Sequence, residues 1–388
     1  MAYLNVCSNF VHNLTIHKRS GSRPDVMVDF IKYFEDSYKF YLSYNYRSPS
    51  NIVNISKRLI DYNVKRNQKE ILAFRKNNSL VNTFYCENEK DEVEKVVNKL
   101  LELKDDKEFT FKENALLFRT NLESHKAIEM MYKNRIPFQL MNSSYTFFDH
   151  YICKDIISYM KLAMDISDKK SFLSIINRPK RYLAKLYLEK LKINPFKVDC
   201  IDYIYGLPKQ GLYVLRELSQ LRRKLLKLKK LSTSDAIGYI LDDIGYTKYI
   251  KERAIKSSTN YMEELKIVEE LKEISKDYEK IEQFLDYFEG LISSIHKSQY
   301  DSSRDSILLS TIHGVKGMEF NNVFIINCIE DYLPHKNSLE KNIEEERRLF
   351  YVAITRTKER LFLYVPKYIK DKDKMVSRFI GECGLELL

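Results

Sequence analysis

The chain has 388 residues, and at about 100–200 residues per domain this length predicts two or three domains. Apolar residues make up 44% and charged residues 31%, and no window approaches about 18 consecutive apolar residues, so the composition excludes a disordered chain and a membrane-spanning one. The net charge of +11 is compatible with a polyanionic partner, and the lack of a secretory signal pattern predicts a cytoplasmic location without membrane attachment.

Two separated blocks of the chain alternate strand-length apolar runs with helical patterns. The first block predicts strands at 39–44, 81–86 and 114–118, and helices at 49–62, 91–104 and 123–134. The second block predicts strands at 306–310, 322–327 and 361–365, and a helix at 343–358. Strands that alternate with helices in this way are typical of a parallel α/β sheet.

The middle of the chain, 149–300, differs from both blocks. Apolar residues recur there at helical spacing with Lys and Glu between them, for example at 213–230, and no proline lies between Pro208 and Pro334. The simplest architecture is one α/β domain interrupted by a large helical insertion. Three consecutive domains are the alternative, but each flanking block alone has too few strands for a good sheet.

A basic amphipathic stretch, 222–230, lies within this helical region. Lys and Arg at this spacing form either a solvated helix face or a face that contacts phosphates, and the sequence leaves both interpretations open. No cysteine pair of the C-x-x-C type and no H-E-x-x-H motif occurs, so the chain predicts neither a disulfide framework nor a metal site.

Three segments are rich in polar, charged and aromatic residues of the types that bind ligands or take part in catalysis. Segment 42–48 lies where a predicted strand enters a helix. Segment 311–320 joins two predicted strands and should form a loop or short helix at a sheet edge, where such folds bind ligands at the carboxyl ends of strands. Segment 344–358 has the acidic start that suits a helix N-terminus, with Arg356 predicted to project from the end of its packing face.

These segments resemble motifs IV, V and VI of the superfamily 1 DNA helicases of the UvrD/PcrA/Rep type. The resemblance is carried by Asn45-Tyr46-Arg47-Ser48, by Thr311-Ile312-His313 with Lys316-Gly317-Met318-Glu319-Phe320, and by Glu345-Glu346-Arg347-Arg348-Leu349 with Tyr351-Val352 and Thr355-Arg356. Leu117-Phe118-Arg119-Thr120-Asn121 is similar to a further family motif, LYRTN. Order and spacing agree from about residue 16 to residue 366.

The resemblance implies the RecA-like parallel sheet of the P-loop NTPase fold, here the second motor domain (subdomain 2A) with its all-helical insertion (2B). On this basis 2A comprises 38–148 and 301–388, and 2B comprises 149–300. Residues 1–37 would be a degenerate remnant around motif III, since Ile16-His17-Lys18-Arg19-Ser20 departs from the family pattern I-Y-x-F-R.

The resemblance also implies four nucleotide contacts, with ATP and Mg as cofactors. Arg47 and Arg356 would reach the γ-phosphate, since the guanidinium fork binds two phosphate oxygens and stays charged. Tyr46 would stack on adenine, and Glu319 would accept a hydrogen bond from the ribose hydroxyl. The competing interpretations are surface ion pairs, a half-buried core tyrosine and a solvated loop carboxylate.

Single-stranded DNA is the second implied partner. By the resemblance, Thr311 and His313 meet the DNA backbone, and Arg119 and Asn121 are further candidate strand contacts. Such contacts would be salt-sensitive and largely independent of base sequence. A single histidine is more often structural than functional, so the family motif carries this assignment.

The phosphate-binding loop of the family, G-x-x-x-x-G-K-S/T, does not occur in these residues, because none of the ten glycines is followed by Lys. The only Asp-Glu pair, Asp91-Glu92, lies in a polar helix start and not after an apolar strand, so the magnesium-holding carboxylates are missing as well. The chain is therefore expected to be inactive alone, whether it arose by a frameshift or as a stand-alone fragment.

Within the insertion, Tyr182-Leu183-Ala184 stands where the family usually has G-I-G, so the resemblance does not extend to the close contact that this motif makes with duplex phosphates. Three functions remain: the C-terminal part of a 3′-to-5′ DNA helicase, a non-catalytic DNA- or protein-binding remnant, and a subunit completed by a separate chain that carries the phosphate loop.

Overall fold

The computed structural model describes residues 43–64, 70–141, 147–208, 210–300, 304–339 and 342–386, together with Lys32. The predicted remnant at 1–37 and most of the predicted strand at 39–44 lie outside these residues. The chain divides into two compact units. The sheet unit comprises residues 1–144 and 295–388, and the helical unit comprises residues 145–294.

Among the residues that the structure describes, the sheet unit holds nine strands and five named α-helices. The strands are β1 Tyr44–Pro49, β2 Leu72–Arg75, β3 Leu80–Asn88, β4 Asn114–Phe118, β5 Phe138–Leu140, β6 Ile307–Thr311, β7 Phe320–Ile325, β8 Thr357–Ile369 and β9 Lys372–Asp373. The helices are α1 Ser50–Asp61, α2 Glu89–Leu103, α3 Ser124–Lys133, α13 Ile343–Ile354 and α14 Arg378–Glu382.

The main sheet has seven strands in the order β3-β8-β7-β4-β6-β5, with β9 added to β8. All neighbours pair in parallel except β9, which is antiparallel to β8. Strand β4 lies inside the sheet and every one of its residues is buried, which explains its continuous apolar sequence. The predicted parallel α/β sheet is confirmed.

Strand β1 covers the motif itself, Tyr44–Pro49, and shares Tyr44 with the predicted strand at 39–44, most of whose other residues lie outside the described ranges. It pairs in parallel with β2 in a separate two-stranded sheet. Burial alternates along the first residues of β1, so its apolar signal is weak. Pro49 then serves as the N-cap position of α1.

Helix α13 ends four residues earlier than predicted. Thr355 Oγ1 donates to the carbonyls of Tyr351 and Val352, and Arg356 Nε donates to the Val352 carbonyl at 2.9 Å. Side chains therefore satisfy the last carbonyls of the helix in place of a glycine or proline stop signal. The chain enters β8 at Thr357, inside the range predicted to be helical.

The helical unit confirms the all-helical interpretation of the middle region. Its helices are α4 Tyr151–Met164, α5 Lys169–Ile175, α6 Lys185–Ile193, α7 Cys200–Tyr205, α8 Leu212–Leu228, α9 Thr233–Leu241, α10 Tyr246–Ser257, α11 Tyr261–Ser275 and α12 Ile281–Tyr300, of which the last continues into the sheet unit. No strand occurs among the described residues of this unit. Among all residues that the structure describes, no helix has the length and apolarity to cross a bilayer.

Candidate functional site

The motif on β1 is held by its own asparagine. Asn45 Oδ1 accepts the backbone N–H groups of Arg47 and Ser48, both at 2.9 Å. The asparagine side chain thereby closes a local hydrogen-bonded turn, which fixes the backbone on either side of Arg47. Ser48 is fully buried, and its hydroxyl donates to the carbonyl of Thr355 at 3.4 Å, which ties β1 to the end of α13.

Arg47 forms an ion pair with Glu319, with 3.1 Å between Nε and Oε2. The side chain of Arg47 is 22% exposed and that of Glu319 is 46% exposed, so solvent screens the pair. The structure thus brings together two candidate nucleotide residues that are 272 positions apart.

Arg356 is buried, with 2% exposure, at the end of the packing face from which it was predicted to project. Its guanidinium donates to the carbonyl of Met318 at 3.1 Å and to Thr355 Oγ1 at 3.2 Å, besides the contact with Val352. Burial, joined by the positive charge of Arg47, lowers the pKa of Arg356 to about 10. These three acceptors hold the guanidinium against the end of the helix, with one hydrogen bond from each of its nitrogens.

Two cations and one carboxylate therefore meet next to the start of β7 and β8, where Phe320 pairs with Thr357. Arg47 and Arg356 are close enough for their charges to repel, and Glu319 compensates in part. An anion placed between the two guanidinium groups would stabilise both. The residues present therefore fit the terminal phosphate of a nucleotide.

Tyr46 lies in a small exposed aromatic group. Its ring is 4.7 Å from the ring of Phe74 on β2 and 6.4 Å from that of Tyr44, measured between centroids. Tyr46 is 66% exposed, so Phe74 supports the ring while much of its surface is open to solvent. A flat, supported and exposed ring can stack on a nucleobase.

Segment 311–320 does not lie at one sheet edge as predicted. Thr311 ends β6 and Phe320 begins β7, and because the sheet is parallel the segment returns from the carboxyl edge to the amino edge. Gly317 has φ +86°, a conformation that side chains rarely adopt, although no atom lies within 4 Å of a Cβ built there. The backbone of this crossing therefore requires the glycine.

The four candidate DNA residues gather at the opposite, carboxyl edge. Phe118 pairs with Thr311 at the ends of β4 and β6, and the N–H of Ile312 donates to the carbonyl of Phe118 at 3.0 Å. Arg119 and the exposed Asn121 follow β4, and the half-buried His313 follows β6. The carboxyl ends of parallel strands meet at one edge, which is why distant segments converge there.

Arg119 is held by Glu346 in a two-pronged ion pair. Arg119 Nε donates to Glu346 Oε2 at 3.0 Å, and Arg119 Nη2 donates to Glu346 Oε1 at 2.7 Å. Glu346 is 3% exposed and also accepts the backbone N–H of His335 at 3.0 Å. Burial alone would raise the pKa of Glu346, but the hydrogen bonds and charge of Arg119 outweigh it and hold this pKa below its ordinary value.

Two further carboxyls lie behind this edge. Glu92 accepts the backbone N–H of Asn327 at 2.7 Å, and Glu123 accepts from the backbone of Thr120 at 3.1 Å and from its hydroxyl at 2.7 Å. Burial raises the pKa of Glu123 to about 7, and burial raises the pKa of Glu92 well above its ordinary value. Negative charge on both carboxyls would also be mutually repulsive.

These carboxyls predict that the protein becomes less stable as pH rises. A carboxyl with a raised pKa in the folded state stabilises the fold fully below its unfolded pKa of about 4.5, and this stability is lost as pH rises through the folded pKa. We therefore expect Glu92→Gln, which keeps the acceptor for Asn327, to make the loss of unfolding free energy between about pH 5 and about pH 8 smaller than in wild type.

Urea unfolding followed by far-UV circular dichroism at both pH values measures this difference. Glu102→Gln is the matched control, because Glu102 lies on the same helix with a side chain 66% exposed. Equal pH dependence in wild type and Glu92→Gln would contradict the expectation.

A surface pocket of the helical unit lacks the features of a charged ligand site. Its three lysines are already satisfied: Lys161 pairs with Glu289, Lys197 pairs with Asp165, and Lys169 donates to two backbone carbonyls. Within the ranges that the structure describes, no group of three or more His, Cys, Asp and Glu side chains could hold a metal ion.

Two partners of the candidate residues were not predicted from the sequence. Glu346 was placed in a motif but not assigned to Arg119, and Phe74 was not singled out at all. The acidic helix start was the only signal for Glu346, since its partner is 227 residues away. No local signal marks Phe74, because its contact depends on the pairing of β1 with β2.

Comparison with known proteins agrees with this geometry. The family model of the UvrD-like helicase C-terminal domain matches residues 40–368. This chain belongs to the UvrD-like helicase family, as its C-terminal domain. The resemblance named from the motifs is thereby confirmed, and the fold agrees with a RecA-like motor domain.

The curated relatives are DNA helicases. ATP-dependent DNA helicase Rep of Buchnera aphidicola subsp. Acyrthosiphon pisum is 29% identical, and the match covers 96% of this chain and 61% of that protein. ATP-dependent DNA helicase PcrA of Staphylococcus epidermidis is 27% identical over 100% of this chain and 55% of that protein. The chain therefore spans about half to three fifths of the length of these relatives.

Proposed function

We propose that this chain acts as the second motor domain, with its helical insertion, of an ATP-dependent 3′-to-5′ DNA helicase of the UvrD type in DNA repair or replication. In this proposal 38–148 and 301–388 form subdomain 2A, 149–300 forms 2B, and 1–37 is the remnant around motif III. One observation carries the proposal: a pair of arginines meets at one edge of the sheet, while the candidate strand contacts gather at the opposite edge.

The arginine edge serves ATP in this proposal. Arg47 and Arg356 neutralise the terminal phosphate, Tyr46 stacks on the adenine, and Glu319 exchanges its bond to Arg47 for the ribose hydroxyl. When bound with ATP, Mg adds positive charge at the phosphates. The phosphate-binding loop is not encoded in these 388 residues and has to be supplied from outside them, so the chain alone is inactive.

The carboxyl edge serves single-stranded DNA. Thr311, His313 and Asn121 contact the strand directly. Arg119 uses two of its N–H groups on Glu346, which fixes its guanidinium at this edge, and its other N–H groups can donate to a phosphate. Since Glu346 neutralises most of its charge, Arg119 contributes more by holding the edge than by attracting DNA.

The test is the binding of labelled oligo-dT, followed by fluorescence anisotropy at low and moderate salt. We expect weak binding that falls steeply with salt, because phosphate contacts release counterions. His313→Ala combined with Asn121→Ala should weaken binding on the order of tenfold, as expected when one stacked or hydrogen-bonded nucleotide is released.

His296→Ala is the control, because His296 lies on α12 outside this edge. No binding at low salt, or equal affinity of wild type and the double variant, would remove the reason to call the carboxyl edge a strand site.

A further inference from the structure

The helical unit presents an exposed pair of tyrosines. The rings of Tyr182 and Tyr213 lie 5.9 Å apart between centroids and meet nearly edge to face. Tyr182 is 68% exposed and Tyr213 is 54% exposed, so the pair buries little surface of its own. Large exposed aromatic rings do not stabilise the fold by burial, which makes their presence informative.

The backbone holds Tyr182 in this position at a conformational cost. Tyr182 has φ +57°, in the left-handed region that glycine favours and that a tyrosine rarely adopts. Its position in the sequence is the first of the three where the insertion departs from G-I-G. The glycine-like backbone is present, but it carries a large aromatic side chain.

The residues on both sides of Tyr182 are firmly anchored. Arg181 is 4% exposed and donates to the carbonyl of Ile176 at 2.7 Å, and Leu183 is 3% exposed. Asn177 donates to the carbonyl of Leu183 at 2.9 Å and accepts its N–H at 3.1 Å. The Tyr182 ring is therefore presented by a fixed backbone, and strain held in this way is typical of functional sites.

A basic stripe leads away from the tyrosine pair along α8. We define the α8 stripe as the exposed residues Arg216, Arg223 and Lys227, which follow Tyr213 at helical spacing, together with the exposed Lys230 just after the helix ends. The opposite face of the helix carries the buried leucines Leu218, Leu221, Leu225 and Leu228. From Tyr213 to Lys227 the helix rises by about 21 Å, and no Asp or Glu lies on the stripe.

We propose that the Tyr182–Tyr213 pair and the α8 stripe form a binding site for single-stranded nucleic acid on the helical unit. The rings stack on bases, and the cations of the stripe contact the phosphates that follow. A purely apolar pair would suit a protein partner equally, but the positive charge beside it favours a polyanion, even though Lys227 Nζ also lies 4.7 Å from the centroid of the Tyr239 ring. This site goes beyond the proposed function, which places the strand contacts on the sheet unit.

The decisive comparison is between two ligands of the same length: oligo-dT and an abasic oligonucleotide. Stacking needs the base, so wild type should bind oligo-dT more tightly. Tyr182→Ala with Tyr213→Ala should weaken binding of oligo-dT on the order of tenfold and leave the abasic ligand unchanged. Tyr182→Phe with Tyr213→Phe should retain the preference, because the rings remain.

Two further variants separate a binding role from a folding role. Tyr182→Gly should leave the urea midpoint equal or higher, since glycine suits φ +57°, and should still weaken binding of oligo-dT. Phe196→Ala removes another exposed aromatic ring, 72% exposed, from the same unit and should change neither property.

The stripe is tested through the salt dependence of binding. Arg216→Gln with Arg223→Gln should weaken both ligands and lower the slope of log K against log salt by about 0.7 for each phosphate that the stripe no longer neutralises. Lys248→Gln with Lys251→Gln removes the same charge from two exposed positions of α10 and should have a smaller effect.

The proposal is overturned if wild type shows no preference for oligo-dT over the abasic ligand, if the alanine pair weakens both ligands equally, or if the α10 control matches the stripe variant. If Tyr182→Ala with Tyr213→Ala loses the preference for oligo-dT over the abasic ligand, the proposal is supported. This holds whether or not His313→Ala with Asn121→Ala changes the affinity for oligo-dT. The two nucleic-acid sites are therefore tested separately.

Discussion

Replacement of Arg119 by alanine is expected to lower the free energy of unfolding by about 3–5 kcal/mol. The change leaves the carboxylate of Glu346, 3% exposed, without its cation, and the backbone N–H of His335 cannot compensate for a buried charge. Urea unfolding at about pH 7, followed by far-UV circular dichroism, measures the loss.

The chain offers a matched control in a second Arg–Glu pair. Arg47→Ala breaks the exposed pair with Glu319 and should cost less than about 1 kcal/mol, because solvent already screens those charges. The double replacement Arg119→Met with Glu346→Leu should recover most of the loss, since no unpaired buried charge remains. A loss for Arg119→Ala no larger than that for Arg47→Ala would show that the buried pair does not hold this edge.

ATP turnover is expected to depend on a phosphate-binding loop supplied from outside these residues. The purified chain alone should turn over no ATP, with or without DNA. Mixed with a polypeptide that carries the G-x-x-x-x-G-K-S/T motor domain of a relative, it should support DNA-stimulated turnover. Arg47→Ala should lower that turnover about a thousandfold or more, the effect typical of an arginine that stabilises the transferring phosphoryl group.

Arg47 is a better test position than Arg356, because removal of Arg356 would also leave the buried carbonyls of Met318 and Val352 without their donor. Arg360→Ala is the control. It removes a half-buried arginine from β8, four residues after Arg356, and should leave turnover unchanged. Turnover by the chain alone that Arg356→Ala abolishes would overturn the expectation, and so would turnover in the mixture that Arg47→Ala does not change.

The α/β class, the helical middle region and the family were determined by the sequence alone. Each depends on a signal that is local or repeated: strand-length apolar runs such as 114–118, helical periodicity such as 213–230, and motifs read in order. Strand β4 was placed to the residue because it is buried on both faces, which makes its sequence continuously apolar. These properties need no knowledge of which distant segments touch.

Local signals were weaker where a strand is short or half-exposed. β2 and β5, with four and three residues, were not predicted, and the predicted strand at 39–44 shares only Tyr44 with β1. Such strands are stabilised by the neighbours they pair with, β1 for β2 and β6 for β5, and not by their own composition. Pairing partners are far apart in sequence, so the runs alone could not reveal them.

Tertiary structure alone decided the environment of each candidate residue. The motifs named Arg356 and Arg119 but could not show that the first donates to the Met318 carbonyl or that the second is neutralised by Glu346, because these partners belong to other elements. The sequence likewise marked 222–230 as basic, yet only the fold places α8 beside an exposed tyrosine pair. The residue types alone determine which side chains are charged or aromatic. Their burial and their contact partners are determined only when distant elements pack together.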